Sequence, residues 1–393
     1  MENRKVLIIT SGVYPFGTPM ALRIRAFSCL FESCGWDTVV YTDQITLDND
    51  RVETKTYENT KIYSYGKKIS RIDKLVLPLV FKKRIKEIME IERPSLIFSN
   101  CLYDRFTTIR SIADQYKLPL IIQSCEWYDP STFKHGRLSH HYILHLFCWR
   151  FQYIHANGVV AISNLLKKHY EKNISNTIRI PTIVDEIETK YRIRVDESTK
   201  SIKLLFAGSL ARTKDSIKQY FEALELMTED YRRIQFEICG VSESDLKAHL
   251  GENIYSKYVN QITNYGRVPQ DKIADMYVNC DYGIFFRPNQ RSSHAGFSTK
   301  LGEGMSTGTP FIVNDTSDIS LYIHNGENGF IVNDVKEIAT VLDEILIMNT
   351  AQREAIRENA RMTAMTSFYY EPYKEEFTSF IDCVIKEYAN GKI

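Results

Sequence analysis

The 393-residue chain has no stretch of about 20 apolar residues, the length a helix needs to cross a bilayer, so no transmembrane helix is expected. Its N-terminal run, MENRKVLIIT, is too short for a signal peptide and leads directly into a strand. The eight cysteines (Cys29, Cys34, Cys101, Cys125, Cys148, Cys239, Cys280 and Cys383) contain no CxxC. That fits reduced thiols in a cytoplasmic protein rather than a disulfide framework or a zinc site. There is no charge excess, since 50 Lys and Arg face 49 Asp and Glu. Nothing global therefore points to nucleic acid. No internal repeat or low-complexity tract is visible. What the chain does have is 44% hydrophobic content, enough for full-sized cores. Its length suggests two or three domains of roughly 150 residues.

The stretch from Arg287 to Pro310, RPNQRSSHAGFSTKLGEGMSTGTP, organises the reading. It lies between two apolar runs, Tyr282 to Phe286 and Phe311 to Val313, which read as buried strands. A helical pattern starts near Ser298 and ends near Gly308. The free N–H groups of a first helical turn, and the helix dipole, favour an anion there. Gly296 lets a backbone approach a ligand closely. Lys300 and Arg287 supply positive charge, Lys as a point charge and Arg as a planar fork. Glu303 lies near Lys300 on that helix and can accept hydrogen bonds from hydroxyls, as on a ribose. Phosphate and sugar are the two halves of a nucleotide.

The run Arg287…GFSTKLGEGMSTGTPFI resembles the donor site of family 4 glycosyltransferases, whose pattern reads roughly R…GFPTKLxExxAxGTPVI. The resemblance implies the GT-B fold, two doubly wound Rossmann-like α/β domains facing a cleft. It implies that backbone amides from Gly296 through Phe297 and Ser298 to Thr299 meet a diphosphate, and that Glu303 binds ribose hydroxyls. Many relatives carry a Glu-x7-Glu motif whose first Glu contacts the donor sugar. Eight residues before Glu303 stands Ala295, so sugar contact passes to backbone or to His294. In LLFAGSLARTKDSIKQYFEAL the resemblance puts Gly208 and Lys214, with Arg212 as the alternative, on the donor phosphates. It makes Gly266-Arg267-Val268 a rim for the base.

The opening strand, Val6 to Ile9, runs into SGVYPFGTP, a loop containing Gly17 that lacks GxGxxG and so gives no dinucleotide fingerprint. A helix from Met20 to about Ser33 ends at Gly35, and Val39 to Tyr41 is the next strand. Arg23 and Arg25 either face an acceptor phosphate or sit on a solvated helix face. Residues 43 to 72 read as polar and irregular. Their Asp48-Asn49-Asp50 is a DxD match that reads as a turn rather than a metal site. The segment 67–93 has basic residues flanking an apolar centre. It reads as a surface helix with a core-facing stripe or as a peripheral membrane contact, and Pro78 argues against one uninterrupted helix. The strand Leu120 to Gln123 runs into SCEWYDP. Ligands of open α/β sheets gather at strand carboxyl ends, so Glu126 and Asp129 are acceptor-side candidates. In 138–156, His141, His145 and Cys148 fall on one helical face, where packing is favoured over a metal site. Ser163 is a plausible helix cap.

The expected domains are 1–190 on the acceptor side and 200–368 on the nucleotide-sugar side, with a helix near 370–390 returning to the first. The expected function is a retaining, metal-independent hexosyltransferase acting in polysaccharide or glycoconjugate synthesis. It takes a nucleotide sugar as donor and a glycan or lipid-linked acceptor, and needs no cofactor. Its catalytic set would be Glu126, Lys300 and Arg287. Its expected place is the cytoplasm, at or near the inner membrane face. A nucleotide-sugar epimerase of the same fold, or a non-catalytic nucleotide binder, are the alternatives.

Overall fold

The computed structural model describes residues 4–44, 52–66, 73–186, 201–210 and 215–391. Asp48, Asp50, Arg212, Lys214 and residues 187–200 lie outside these. The chain divides into two compact units, Met1–Asp185 with Tyr370–Ile393, and Glu186–Tyr369.

The first unit holds β1 (Lys5–Ile9), β2 (Asp37–Gln44), β3 (Val52–Tyr57), β4 (Thr60–Gly66), β5 (Leu96–Asn100), β6 (Leu120–Ser124), β7 (Gly158–Ala161) and β8 (Thr177–Arg179). They form one sheet in the order β3-β4-β2-β1-β5-β6-β7-β8. Only the β3–β4 pair is antiparallel. Parallel strands are covered on both faces, which is why β1, β5, β6 and β7 are short continuous apolar runs.

The helix Pro19–Ser33 starts with Thr18, whose hydroxyl accepts from Ala21 N at 3.1 Å, and Pro19 takes the first helical position. Gly35, at φ +80°, ends it. Its Phe27 and Phe31 meet Phe98 of β5 at 5.1 and 5.3 Å between ring centroids. The closing helix, Lys374–Ala389, brings Phe377 to 4.8 Å from Phe31. It lies so close to β7 that a Cβ on Gly158 would stand 2.8 Å from Val384.

Two expectations need correction. The region 43 to 72 is not irregular throughout, because β3 and β4 form a hairpin across Glu58-Asn59. Consecutive residues of β4, Ile62 to Tyr65, are all buried, so that strand is covered on both faces. The helix Asp73–Glu92 also runs through Pro78. A proline this near a helix start removes only one intrahelical bond, which the following turns outweigh. Phe81, Ile85, Ile88 and Met89 of this helix are buried, the core-facing stripe.

The second unit holds β9 (Ile202–Ala207), β10 (Ile234–Cys239), β11 (Ile262–Asn264), β12 (Tyr282–Phe285), β13 (Phe311–Val313) and β14 (Gly329–Ile331). Their order is β11-β10-β9-β12-β13-β14, parallel throughout. The order reverses between β9 and β12, and ligands of such sheets sit outside the carboxyl ends at that reversal. The helix Thr299–Ser306 crosses this end. Its height over the sheet is set by Phe311, whose ring fills the space a Cβ would need on Gly283 (2.4 Å) and Gly304 (2.5 Å).

Candidate functional site

The strand-order reversal in the second unit brings together two loops, one leaving β9 and one leaving β12. A two-residue bridge ties them: Ser216 N donates to Phe286 O at 2.7 Å, and Phe286 N returns to Ser216 O at 2.9 Å. That bridge sets Asp215 and Arg287, its immediate neighbours in sequence, side by side. Arg287 Nε donates to Asp215 Oδ1 at 3.0 Å, and Lys300 Nζ donates to Asp215 Oδ2 at 2.6 Å. The Asp215 side chain is only 4% exposed, against 14% for Arg287 and 15% for Lys300. Burial pushes its carboxyl up, but the charges of Lys300 and Arg287 outweigh this and hold it at about 2. One carboxylate is shared by two cations, so the cluster keeps a positive charge in excess.

The backbone around the cluster is fixed from β13. Asn314 accepts from Arg287 N and donates to Arg287 O, each at 2.7 Å. Lys300 reaches Asp215 by lying across Gly208, where a Cβ would stand 2.7 Å from its Cε and 2.8 Å from its Nζ. A Cβ there would displace the end of the Lys300 side chain from this path. Aromatic rings back both cations, Phe206 at 5.5 Å from Lys300 Nζ and Phe285 at 5.5 Å from the Arg287 guanidinium.

Beside the cations the helix Thr299–Ser306 begins. Its cap residue, Ser298, makes no side-chain capping bond. The Ser298 hydroxyl is buried and has no hydrogen-bond partner in the protein. A buried hydroxyl left without a partner costs roughly 1–3 kcal/mol, so a ligand oxygen there is favoured. Thr299 opens the helix and Glu303 follows one turn later, half-buried. Burial pushes the Cys239 thiol, at the end of β10, up to about 12, with Lys300 opposing and Glu303 reinforcing the shift. Both side chains therefore act on the same strand end.

Other donor-side residues divide by position. Gly296 has φ −85° and ψ 161°, extended backbone open to any residue. The Phe297 ring is buried edge-on against Tyr322 (5.5 Å) and beside Phe368 (5.9 Å), so only its backbone is available to a ligand. His294 is held by Asn289 at 2.7 Å and by Ser317 N at 3.4 Å. Arg267 is exposed, beyond β11 and after Gly266 at φ +60°.

In the first unit Glu126 follows β6 and is half-buried. Burial raises the pKa of Tyr128, and a hydrogen bond to Glu126 adds to the shift. Asp129 leads the short turn Pro130–Thr132 without capping it through its side chain. Gly17 lies in the loop after β1 at φ +104°. Arg23 requires a correction, since it is neither on a solvated face nor open to an acceptor. Its side chain is buried, with Nε donating to Gln123 Oε1 at 2.9 Å and Nη2 to Ile180 O at 3.0 Å. Nη1 donates to Pro181 O. Arg25 pairs with Asp185 at 2.8 Å. His145 and Cys148 point inward, Cys148 donating to Tyr103 O at 3.1 Å, while His141 is exposed. Among the described residues no group of three or more His, Cys, Asp or Glu is placed to hold a metal, and no helix is long and apolar enough to cross a membrane.

Residues 188–363 match the family model of glycosyl transferases group 1. The matched segment lies within the second unit. No curated protein matches the chain in sequence. Among solved structures, a sucrose-phosphate synthase from Thermosynechococcus elongatus superposes with a TM-score of 0.72 at 15% identity, over 98% of this chain and 99% of that one. Anabaena Alr3699/HepE in complex with UDP and glucose gives 0.66 at 14% identity, covering 97% and 100%. The E. coli trehalose-6-phosphate structure bound with UDP-2-fluoro glucose gives 0.68 at 12% identity, covering 97% and 99%. The architecture is that of GT-B glycosyltransferases.

Two residues of this candidate site escaped the sequence reading, Asp215 and Asn314. Asp215 stands next to the Lys214 singled out in TKD, and its acidity was the available signal. Asn314 gave none, because its task is to hold the Arg287 backbone.

Proposed function

We propose that the chain transfers a glycosyl group from a nucleotide-sugar donor to an acceptor hydroxyl with retention at the anomeric carbon. The observation that carries this reading is the Lys300–Asp215–Arg287 cluster beside the uncapped start of the helix Thr299–Ser306. A nucleoside diphosphate needs such a set. Its phosphate oxygens take the first-turn N–H groups, the Ser298 hydroxyl and the cations, and its ribose hydroxyls take Glu303. During transfer the bond from the anomeric carbon to the phosphate oxygen breaks, and the bond to the acceptor oxygen forms. The acceptor proton passes from that oxygen to the proposed acceptor-side group, Glu126, and negative charge collects on the departing diphosphate. Lys300 and Arg287 are in place to stabilise it before the reaction starts. Two similar structures carry UDP or a UDP sugar, which makes UDP sugars the first donors to try. Glu126 is the proposed acceptor-side group, and a surface polysaccharide or glycoconjugate is the proposed product class.

Fixed cations in place of a metal make the reaction independent of divalent ions. The test is transfer from a panel of nucleotide sugars to sugar acceptors, with product stereochemistry assigned by NMR, in EDTA and with Mn²⁺ restored. The reading predicts a retained anomeric configuration and unchanged rates in EDTA. Donor epimerised without an acceptor, or activity lost on chelation and restored by metal, contradicts it.

A further inference from the structure

The helix His140–Phe147 and the π turn Cys148–Gln152 that continues it are apolar on two faces. The inner face is ordinary core. His145, Cys148, Trp149 and Tyr153 are buried, and the His145 ring lies 5.0 Å from Tyr128. The outer face has the same spacing and is exposed among the described residues. Ile143, Leu146, Phe147, Arg150 and Phe151 fall at i, i+3, i+4, i+7 and i+8, one stripe of the helix. Ile143 is 56% exposed, Phe147 45% and Phe151 54%. Leu138, just before the helix, is 87% exposed. The Phe147 and Phe151 rings stand 5.8 Å apart, so the apolar surface is continuous rather than scattered.

The charge around this stripe has one sign. From Pro130 to Tyr170 the chain contains no Asp or Glu. Lys134, Arg137 and Arg150 are exposed, as are His135, His140 and His141. The anchors of protein-binding faces are chiefly Trp, Tyr and Arg, with Leu under-represented. Here Trp149 and Tyr153 are turned inward, and the outer stripe is Phe, Leu and Ile with a basic margin. That combination, an apolar stripe with Lys and Arg beside it, suits the interface of an anionic bilayer, where the rings enter the acyl boundary and the cations meet headgroups.

We propose that the outer face of His140–Gln152 is a docking surface for an anionic lipid bilayer. It differs from the surface that residues 67–93 suggested, whose described apolar stripe faces the core. Because the inner face packs on Tyr128, two residues from Glu126, docking brings the candidate acceptor turn to the membrane surface. The proposal does not depend on the transfer reaction, and it is read without donor or acceptor.

The experiment is co-sedimentation of the full chain with vesicles of phosphatidylcholine alone and of equal parts phosphatidylcholine and phosphatidylglycerol. Wild type is expected to sediment with the anionic vesicles, less so as salt is raised, and to leave the neutral ones in solution. Phe147→Ser with Phe151→Ser, on exposed positions, should keep the wild-type melting temperature and lose at least about tenfold in vesicle affinity. Arg137→Glu with Arg150→Glu should abolish the preference for anionic lipid. Wild type that ignores both vesicles, or a phenylalanine pair variant that binds as wild type, overturns the proposal. So does a wild-type dimer that the same pair converts to monomer with vesicle binding unchanged, since the face would then belong to self-association.

Discussion

The ammonium of Lys300 lies 2.6 Å from Oδ2 of Asp215, reached by a side chain that lies directly across Gly208. Asp215 also holds Arg287, so a single buried carboxylate orients both cations that the proposed diphosphate needs. Removing one partner of a buried ion pair strands the other charges and costs roughly 3–5 kcal/mol.

Asp215→Ala should therefore lower the melting temperature markedly. A nucleoside diphosphate then supplies the missing negative charge, so saturating UDP should recover part of the loss. Melting curves with and without UDP check this. An equal deficit in both conditions would mean that phosphate does not meet the cluster.

Acid should act on each unit through a carboxylate held well below its ordinary value by its partners. Glu92 is buried beside Lys5, Lys61 and Tyr63, and although burial pushes its carboxyl up, those hydrogen bonds outweigh it and hold it at about 2. Asp215 is held at about 2 by its two cations against the same effect of burial. Both folded values lie below the ordinary 4.5 and 3.8. The folded state thus binds fewer protons, and the stabilisation is full above those values and lost as pH falls toward about 2. Glu92→Gln should flatten the acid limb of a plot of melting temperature against pH. Superimposable limbs for wild type and variant would remove Glu92 from the account.

Much of this was legible in the sequence. Apolar runs bounded by turn residues marked β1, β2, β6, β12 and β13, because buried parallel strands leave no other pattern. The GFSTKL run placed the helix that starts at Thr299. Arg23 was not legible. A helix carrying Arg23 and Arg25 two residues apart reads as polar there, yet Arg23 points inward to carbonyls of Ile180 and Pro181, nearly 160 residues away. Nothing local announces a cation satisfied by distant backbone. The β3–β4 hairpin was missed for a related reason. Its Lys and Glu residues make the segment read as polar, and β4 becomes a buried strand only once it pairs with β2.

Arg23 leads to a stability prediction. Its planar fork serves Gln123, Ile180 and Pro181 at once, which an ammonium cannot do. Arg23→Lys should destabilise the first unit by about 1–3 kcal/mol in denaturant unfolding, with donor affinity unchanged. A variant as stable as wild type would show that the buried network is dispensable.

Glu126→Gln should lower turnover while leaving donor affinity alone, since the residue sits at a strand end of the first unit. A proton-transfer group is worth roughly 100-fold or more, so turnover within about twofold of wild type would return Glu126 to holding Tyr128.

The central claim is that the cluster at Lys300 and the start of its helix bind the diphosphate of the donor. Calorimetric titration of wild type, Lys300→Ala and Glu303→Ala with UDP and with uridine tests it directly. The account predicts that wild type binds UDP far more tightly than uridine, that Lys300→Ala loses about 1.5–3 kcal/mol of UDP binding and little of uridine binding, and that Glu303→Ala weakens both. Equal affinity of wild type for UDP and uridine, or a Lys300→Ala variant that binds UDP as wild type does, would contradict it.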